Sequence, residues 1–247
     1  MTDMPLPRCY RCHERITPRG TCACADGIAL VCGDCREVLP LLEKESVELV
    51  LSDPPYGIGY QYGGGVRGIK AAVRITKHAT ARGCPPIVGD DKPFDPRPFL
   101  GFPRVLLWGA DHFAQHLPRK GTFIAWDKSV GIGPRDTFVD CEFAWCNWRE
   151  PRNVFRFLWK GLTCMKRGEE HGRRDHPTQK PLALLRWCVE RAGGNGMIFD
   201  PFAGVATTGA AAKLLGRKCL MIEIEERYCK VAAARLRQNV LNWEDQR

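Results

Sequence analysis

The amino-acid sequence predicts an α/β protein with a mostly parallel central sheet. Short apolar runs of strand length alternate with helical patterns from Ile28 onward. One such run, Met197-Ile198-Phe199-Asp200, passes through Pro201-Phe202-Ala203-Gly204 into an Ala-rich helix. That strand, tight turn and helix let backbone come close to a ligand above the carboxyl edge of a sheet.

The elements follow in order. Ile28 to Val31 is the first strand, ended by Gly33-Asp34, and Arg36 to Leu42 reads as a turn or two of helix. Val47 to Leu51 is the next strand. Residues 57 to 87 are Gly-rich and basic and read as a long functional loop. Arg104 to Trp108 is a strand ending at Gly109, and Asp111 is placed to cap a short helix through Leu117. Gly121 to Trp126, Cys141 to Trp145 and Val154 to Trp159 read as three further strands. Pro181 opens a helix with an apolar stripe from Leu182 to Ala192, stopped by Gly193-Gly194. After the Gly turn, a helix runs to Leu215, Lys218 to Ile224 forms a strand, and Glu225 to Leu241 a closing amphipathic helix.

The chemistry centres on Ser52-Asp53-Pro54-Pro55-Tyr56-Gly57 at the end of the second strand. Two prolines fix φ and remove two backbone donors, and Pro54 biases Asp53 toward an extended conformation. The Asp53 carboxylate and the Pro54 carbonyl form a stiff pair of acceptors beside the Tyr56 ring. A planar molecule with an NH2 group suits that corner. Accepting both amine hydrogens stabilises the positive charge that grows on the nitrogen as it attacks an electrophile.

Of 247 residues, 44% are hydrophobic, and the formal charge is +9. No apolar run approaches the roughly 18 residues that span a membrane. The N-terminus lacks a signal-peptide core, so the expected compartment is cytoplasmic. Between Pro54 and Gly89 there is no acidic residue, but Arg67, Lys70, Arg74, Lys77 and Arg82 are present. A second basic stretch holds Arg149, Arg152, Arg156, Lys160, Lys166, Arg167, Arg173 and Arg174. Basic faces beside an aromatic site of base size suggest nucleic acid. The aromatics around Trp145 and Trp148 could stack on bases, though most such residues belong to cores.

Thirteen cysteines in a reducing compartment point to metal or buried thiols before disulfides. Residues 1–26 form a cysteine-rich segment. Its Cys9, Cys12, Cys22 and Cys24 lie on two tight turns, the preferred ligands for a structural zinc ion. Cys32 and Cys35 offer an alternative second pair, and His13 a weaker ligand.

Taken together, the order Gly33-Asp34, Asp53-Pro-Pro-Tyr56, a variable middle, His176-Pro-Thr-Gln-Lys-Pro181, Asp200-Pro-Phe-Ala-Gly204 and Glu223 resembles the amino-group DNA methyltransferases in their permuted, beta-class order. The resemblance covers residues 28 to about 238. It implies a Rossmann-like methyltransferase fold over 27–247, with target recognition in an insertion around 60–170. It also implies transfer of a methyl group from S-adenosylmethionine to N6 of adenine in double-stranded DNA. N4 of cytosine, or a catalytically decayed DNA-binding homologue, remains the alternative. By the same resemblance Asp53, Pro54, Pro55 and Tyr56 hold a flipped-out base. Asp200, Phe202, Gly204 and Thr207 surround the cofactor's methionine and ribose, with Asp53 alongside. Glu223 takes the ribose hydroxyls, Asp34 the adenine amino group, and Thr178 and Lys180 close the methionine end. A monomer or homodimer in a bacterial or phage-infected cell, within a restriction-modification setting, completes the expectation. The family's usual Gly-x-Gly at the cofactor turn is here Gly204-Val205-Ala206, which puts a Cβ where the backbone favours φ > 0.

Overall fold

The fold is described from a computed structural model over residues 6–59, 86–130, 141–159 and 179–238. Eight strands form one sheet in the order β1-β8-β7-β2-β3-β5-β4-β6. They are β1 (Ile28–Cys32), β2 (Val47–Ser52), β3 (Arg104–Trp108), β4 (Thr122–Asp127), β5 (Cys141–Cys146), β6 (Val154–Arg156), β7 (Met197–Asp200) and β8 (Cys219–Glu223). The helices are α1 (Cys35–Val38), α2 (Leu182–Ala192), α3 (Thr207–Leu214) and α4 (Glu226–Arg237). The pairs β1/β8, β8/β7, β7/β2 and β2/β3 are parallel. Beyond β3 the direction changes: β5 runs antiparallel to both β3 and β4, and β6 is parallel to β4.

The parallel strands read as unbroken apolar runs because both faces of the sheet are covered. Alternate residues go to opposite sides. Ile28, Leu30, Leu106, Trp108, Ile198, Cys219 and Met221 face a core filled from α2, α3 and α4 by Leu184, Leu185, Ala211, Ala212 and Ala232. Ala29, Val31, Val105, Leu107, Phe199, Leu220 and Ile222 face the other core, with Val38, Phe99, Phe113 and, from the cysteine-rich segment, Cys9 and Ile16. A register shift between Val47 and Leu49 accompanies their facing opposite cores although they stand two residues apart.

Most expected elements are present within a residue or two. Four differ. The helix after β1 is one α turn followed by a 3-10 turn at Leu39–Leu41, because Pro40 interrupts it. Asp111 caps no α-helix; only a 3-10 turn forms at Ala114–His116. The strand expected from Val154 to Trp159 pairs only at Val154–Arg156. The basic, Gly-rich stretch through Gly63, Arg67 and Arg82 lies outside the described residues. So do Lys160 to Thr178. The closing helix, expected to run to Leu241, ends at Arg237, with Gln238 already extended.

At the amino ends of the strands, Arg217 is 7% exposed. Its guanidinium donates to Glu48 Oε2 at 3.0 Å, to Gly196 O at 2.8 Å and to Gly193 O at 3.1 Å. Glu48 Oε2 also accepts from Gly196 N. One buried cation thus ties the turn between α2 and β7 to β2. Arg217→Met should lower unfolding free energy by about 2–4 kcal/mol, since it strands Glu48 and two carbonyls. Urea unfolding followed by circular dichroism measures it.

Candidate active site

Ligands bind at the carboxyl ends of parallel strands. Four acidic residues meet that edge on four adjacent strands: Asp34 just after β1, Glu223 ending β8, Asp200 ending β7 and Asp53 just after β2. Neighbouring strands are roughly 4.8 Å apart, so the row spans about 14 Å, the length of an extended nucleoside with a short side chain.

Glu223 is anchored by backbone. Its Oε2 accepts from Gly204 N at 2.8 Å and its Oε1 from Glu225 N at 2.7 Å. Burial pushes its carboxyl up to about 7 despite those donors. Asp200 is also buried, and burial raises it to about 6, opposed by Ser52, Thr208 and the Phe202 amide. The Ser52 hydroxyl donates to Asp200 Oδ1 at 2.6 Å, joining the end of β2 to the end of β7. Phe202 packs edge-on against Phe94 and Phe99. Gly204 has φ +52, and Ala206 does adopt the left-handed conformation, with φ 61 and ψ 41. The turn therefore keeps its shape at the cost of a strained alanine. Thr207 opens α3, and its Oγ1 accepts from Arg235 Nη1 at 3.0 Å. Asp34 caps α1 through Arg36 N and is ion-paired with Arg36, whose side chain is 85% exposed.

The second half of the site surrounds Asp53. The Tyr56 hydroxyl donates to Asp53 Oδ1. The Lys180 ammonium lies 2.7 Å from Asp53 Oδ2, 3.0 Å from Glu142 Oε2 and 3.2 Å from the Tyr56 oxygen. Lys128 contacts the other Glu142 oxygen at 2.6 Å. Two carboxylates and two ammonium groups thus form a closed, charge-balanced chain. Burial disfavours the Glu142 carboxylate, but Lys180 and Lys128 outweigh it and hold the group at about 2. Burial likewise opposes the charge on Lys180, and Asp53 and Glu142 more than compensate, so its pKa rises well above the usual lysine value. Burial leaves Asp53 above the ordinary aspartate value in spite of Lys180. Pro54 is buried and Pro55 half-buried behind this corner.

Lys180, expected at the methionine end, sits against Asp53; Thr178 lies outside the described residues. Ser52 stood inside the central motif without a role of its own, and the pattern of motifs did not single out Glu142, His112 or Asp90. His112 stacks on Tyr56 with ring centroids 4.8 Å apart and a 20° interplanar angle. Asp90 accepts from Gly57 N at 2.8 Å and holds the chain leaving Tyr56. A lone Glu in the aromatic strand Cys141–Cys146 was the available signal for Glu142, and its place before Asp53 that for Ser52; His112 and Asp90 carried none.

Residues 121–234 match the model of the N6/N4 DNA methylase family. The type II methyltransferase M.HinfI of Haemophilus influenzae is 45% identical over 87 residues, 34% of this chain and 24% of that protein. The DNA adenine methyltransferase YhdJ of Escherichia coli is 48% identical over 63 residues, 25% of this chain and 21% of YhdJ. These alignments span about a quarter of the curated relatives' length. Among solved structures, the cytosine-N4-specific PvuII DNA methyltransferase aligns with a TM-score of 0.53 at 16% identity, covering 93% of this chain and 92% of that one. The M1.HpyAVI–SAM complex aligns with 0.51 at 20% identity, covering 85% and 100%. The chain therefore shares the Rossmann-like fold of these two structures.

Two outcomes follow from the geometry. A Cβ at Gly109, which has φ +72, would fall inside the Tyr56 ring edge. Gly109→Ala should therefore cost at least about 2 kcal/mol, read as a lowered Tm, and displace Tyr56 from His112. The second concerns pH. Folded Glu223 keeps its proton to about pH 7, whereas the unfolded chain loses it near the ordinary glutamate value of 4.5. Its contribution to stability is complete below the unfolded value and is lost as pH rises from there through about 7. Glu223→Gln should flatten the fall in stability across that window by about 1–3 kcal/mol, measured as unfolding free energy at several pH values.

Proposed function

We propose that this relative of the amino-group DNA methyltransferases transfers a methyl group from S-adenosylmethionine to the exocyclic N6 of adenine in double-stranded DNA. The single observation that carries the reading is the acidic row on four adjacent strand ends, with its two halves joined by the Ser52–Asp200 hydrogen bond at 2.6 Å. The donor set fits the cofactor. Each oxygen of Glu223 accepts one backbone N–H and keeps a lone pair for a ribose hydroxyl. Asp34 Oδ1 accepts the Arg36 backbone N–H; its other partner is the exposed Arg36 side chain, which can turn away and leave the carboxylate for an adenine amino group. Asp200 and Phe202 flank the methionine end. When bound, S-adenosylmethionine supplies a methyl carbon on a positively charged sulfur.

This chain's residues supply the rest. A base must leave the duplex before its amine can reach Asp53. Asp53 and the Pro54 carbonyl accept the two amine hydrogens, which strengthens the nitrogen as a nucleophile and stabilises its growing positive charge. Tyr56, braced by His112 on one face, orients the flat ring. As the nitrogen–carbon bond forms and the carbon–sulfur bond breaks, the nitrogen sheds a proton, and Asp53 is the nearest acceptor. Lys180 holds the Asp53 carboxylate in place and steadies the Tyr56 hydroxyl. The exposed Arg149, Arg152 and Arg156 beside β6 suit a phosphate backbone.

Asp before Pro-Pro-Tyr favours adenine, and YhdJ, a relative by sequence, is a DNA adenine methyltransferase. N4 of cytosine is the second reading, because the same acceptors suit both amines and the PvuII enzyme of similar fold is cytosine-N4-specific. Labelled S-adenosylmethionine and duplex DNA of varied sequence should yield labelled N6-methyladenine on nucleoside analysis; label in N4-methylcytosine would select the second reading. Asp53→Ala should reduce transfer by at least about 100-fold with an unchanged circular dichroism spectrum, since Lys180 keeps Glu142 as partner. Cofactor binding with no transfer to any DNA tested would identify a decayed, DNA-binding homologue.

A further inference from the structure

We infer that Cys9, Cys12, Cys22 and Cys24 bind one structural Zn²⁺ ion, which fastens the edge strand β1 and the Asp34 loop at its end. The inference does not depend on the proposed reaction. The four sulfurs lie within 4.8 Å of one another. Cys9 Sγ and Cys24 Sγ are 3.8 Å apart. A tetrahedron with Zn–S bonds of about 2.3 Å has edges of about 3.8 Å, whereas bonded sulfurs lie only about 2.05 Å apart. The spacing is that of ligands around a shared ion.

The surroundings are those of thiolates. The backbone N–H groups of Leu30, Cys12 and Arg11 point at the Cys9 sulfur, and Cys24 N donates to Cys22 Sγ at 3.5 Å. Donors aimed at sulfur stabilise negative charge there. The knuckle is tight: His13 N donates to Cys9 O at 2.8 Å, and His13 itself, with φ 63, is exposed and outside the sulfur cluster. Cys32 and Cys35 are committed elsewhere. Cys32 contacts Cys229, and Cys35 is buried at the start of α1. Four sulfur ligands leave no open coordination position, so the ion is structural.

The ion has a mechanical consequence. β1 pairs with β8 on one side and lies at the edge of the sheet. On its free side Tyr10 N donates to Leu30 O at 2.6 Å, and Arg11 Nη1 donates to Ile28 O at 2.6 Å. Arg11 also pairs with Asp26 at 2.8 Å. The residues between the cysteines thus occupy the exposed carbonyls of an edge strand. Too short to hold a core of its own, such a segment keeps its shape when a metal closes it.

The full chain, purified under reducing conditions without metal-affinity resin, should contain one zinc per chain by elemental analysis. Replacement by Co²⁺ should give the intense visible bands of a tetrahedral tetrathiolate site. Cys9→Ser and Cys22→Ser should lose the zinc, whereas Cys141→Ser, outside the cluster, should keep it. Stripping the metal from the wild-type chain should lower Tm by at least about 5 °C and speed amide exchange at Leu30 and Val31. Zinc far below one per chain after growth in zinc-supplemented medium, or disulfides among these cysteines in the reduced preparation, would overturn the inference. So would zinc retained by both serine variants. If those variants fail to fold, the cobalt spectrum of the wild-type chain decides the matter.

Discussion

The site depends on the parallel pairing of β2 with β7 and on the Ser52–Asp200 hydrogen bond that completes it. The Asp53 corner and the glycine turn lie far apart in the chain, and each alone is an ordinary end of a strand. Parallel pairing sends both to the same edge, with Asp34 and Glu223 in line beyond them. The hydroxyl of Ser52 then sets the distance between the two halves. The proposed reaction, which must align a nitrogen with a methyl carbon, needs such a rigid separation, because effective molarity falls steeply with small misplacement.

Burying charge near that edge is costly, and the molecule offsets the cost in two ways. On the side proposed for the cofactor, Glu223 and Asp200 are served by backbone N–H groups and hydroxyls, not by cations, which leaves their carboxyls easy to protonate. On the acceptor side Asp53 is neutralised through Lys180, Glu142 and Lys128. The difference suits the two tasks proposed for them. Neutral sugar hydroxyls need acceptors without a competing cation nearby. A carboxylate that must stay put in a desolvated corner needs a fixed counter-charge. The chain of four also ties β2, β4, β5 and the start of α2 to a single point.

The cysteine-rich segment belongs to the same logic of edges. A sheet of eight strands has two, and β1 is the one nearest the row of acids. Tyr10 and Arg11 cover its carbonyls, while Cys9 and Ile16 enter the core beneath the sheet. The segment is therefore packed as part of the main body.

Much was legible in the sequence. The period of the apolar runs, the Pro-Pro pair and the Gly turn are local signals, and local sterics alone determine what they form; hence β3, β7 and α2 appear where the pattern put them, and Ala206 is left-handed where the turn demanded it. The order of the motifs was enough to indicate the fold and the acidic residues at its edge. Only the tertiary structure decided which strands are neighbours, that β5 and β4 turn antiparallel, and that Glu142 and Lys128 reach Lys180. It also decided that Asp111 caps nothing and that Cys32 and Cys35 stay out of the sulfur cluster. Those outcomes rest on contacts between residues distant in the chain, where burial and charge pairing act across space and leave no periodic trace along it.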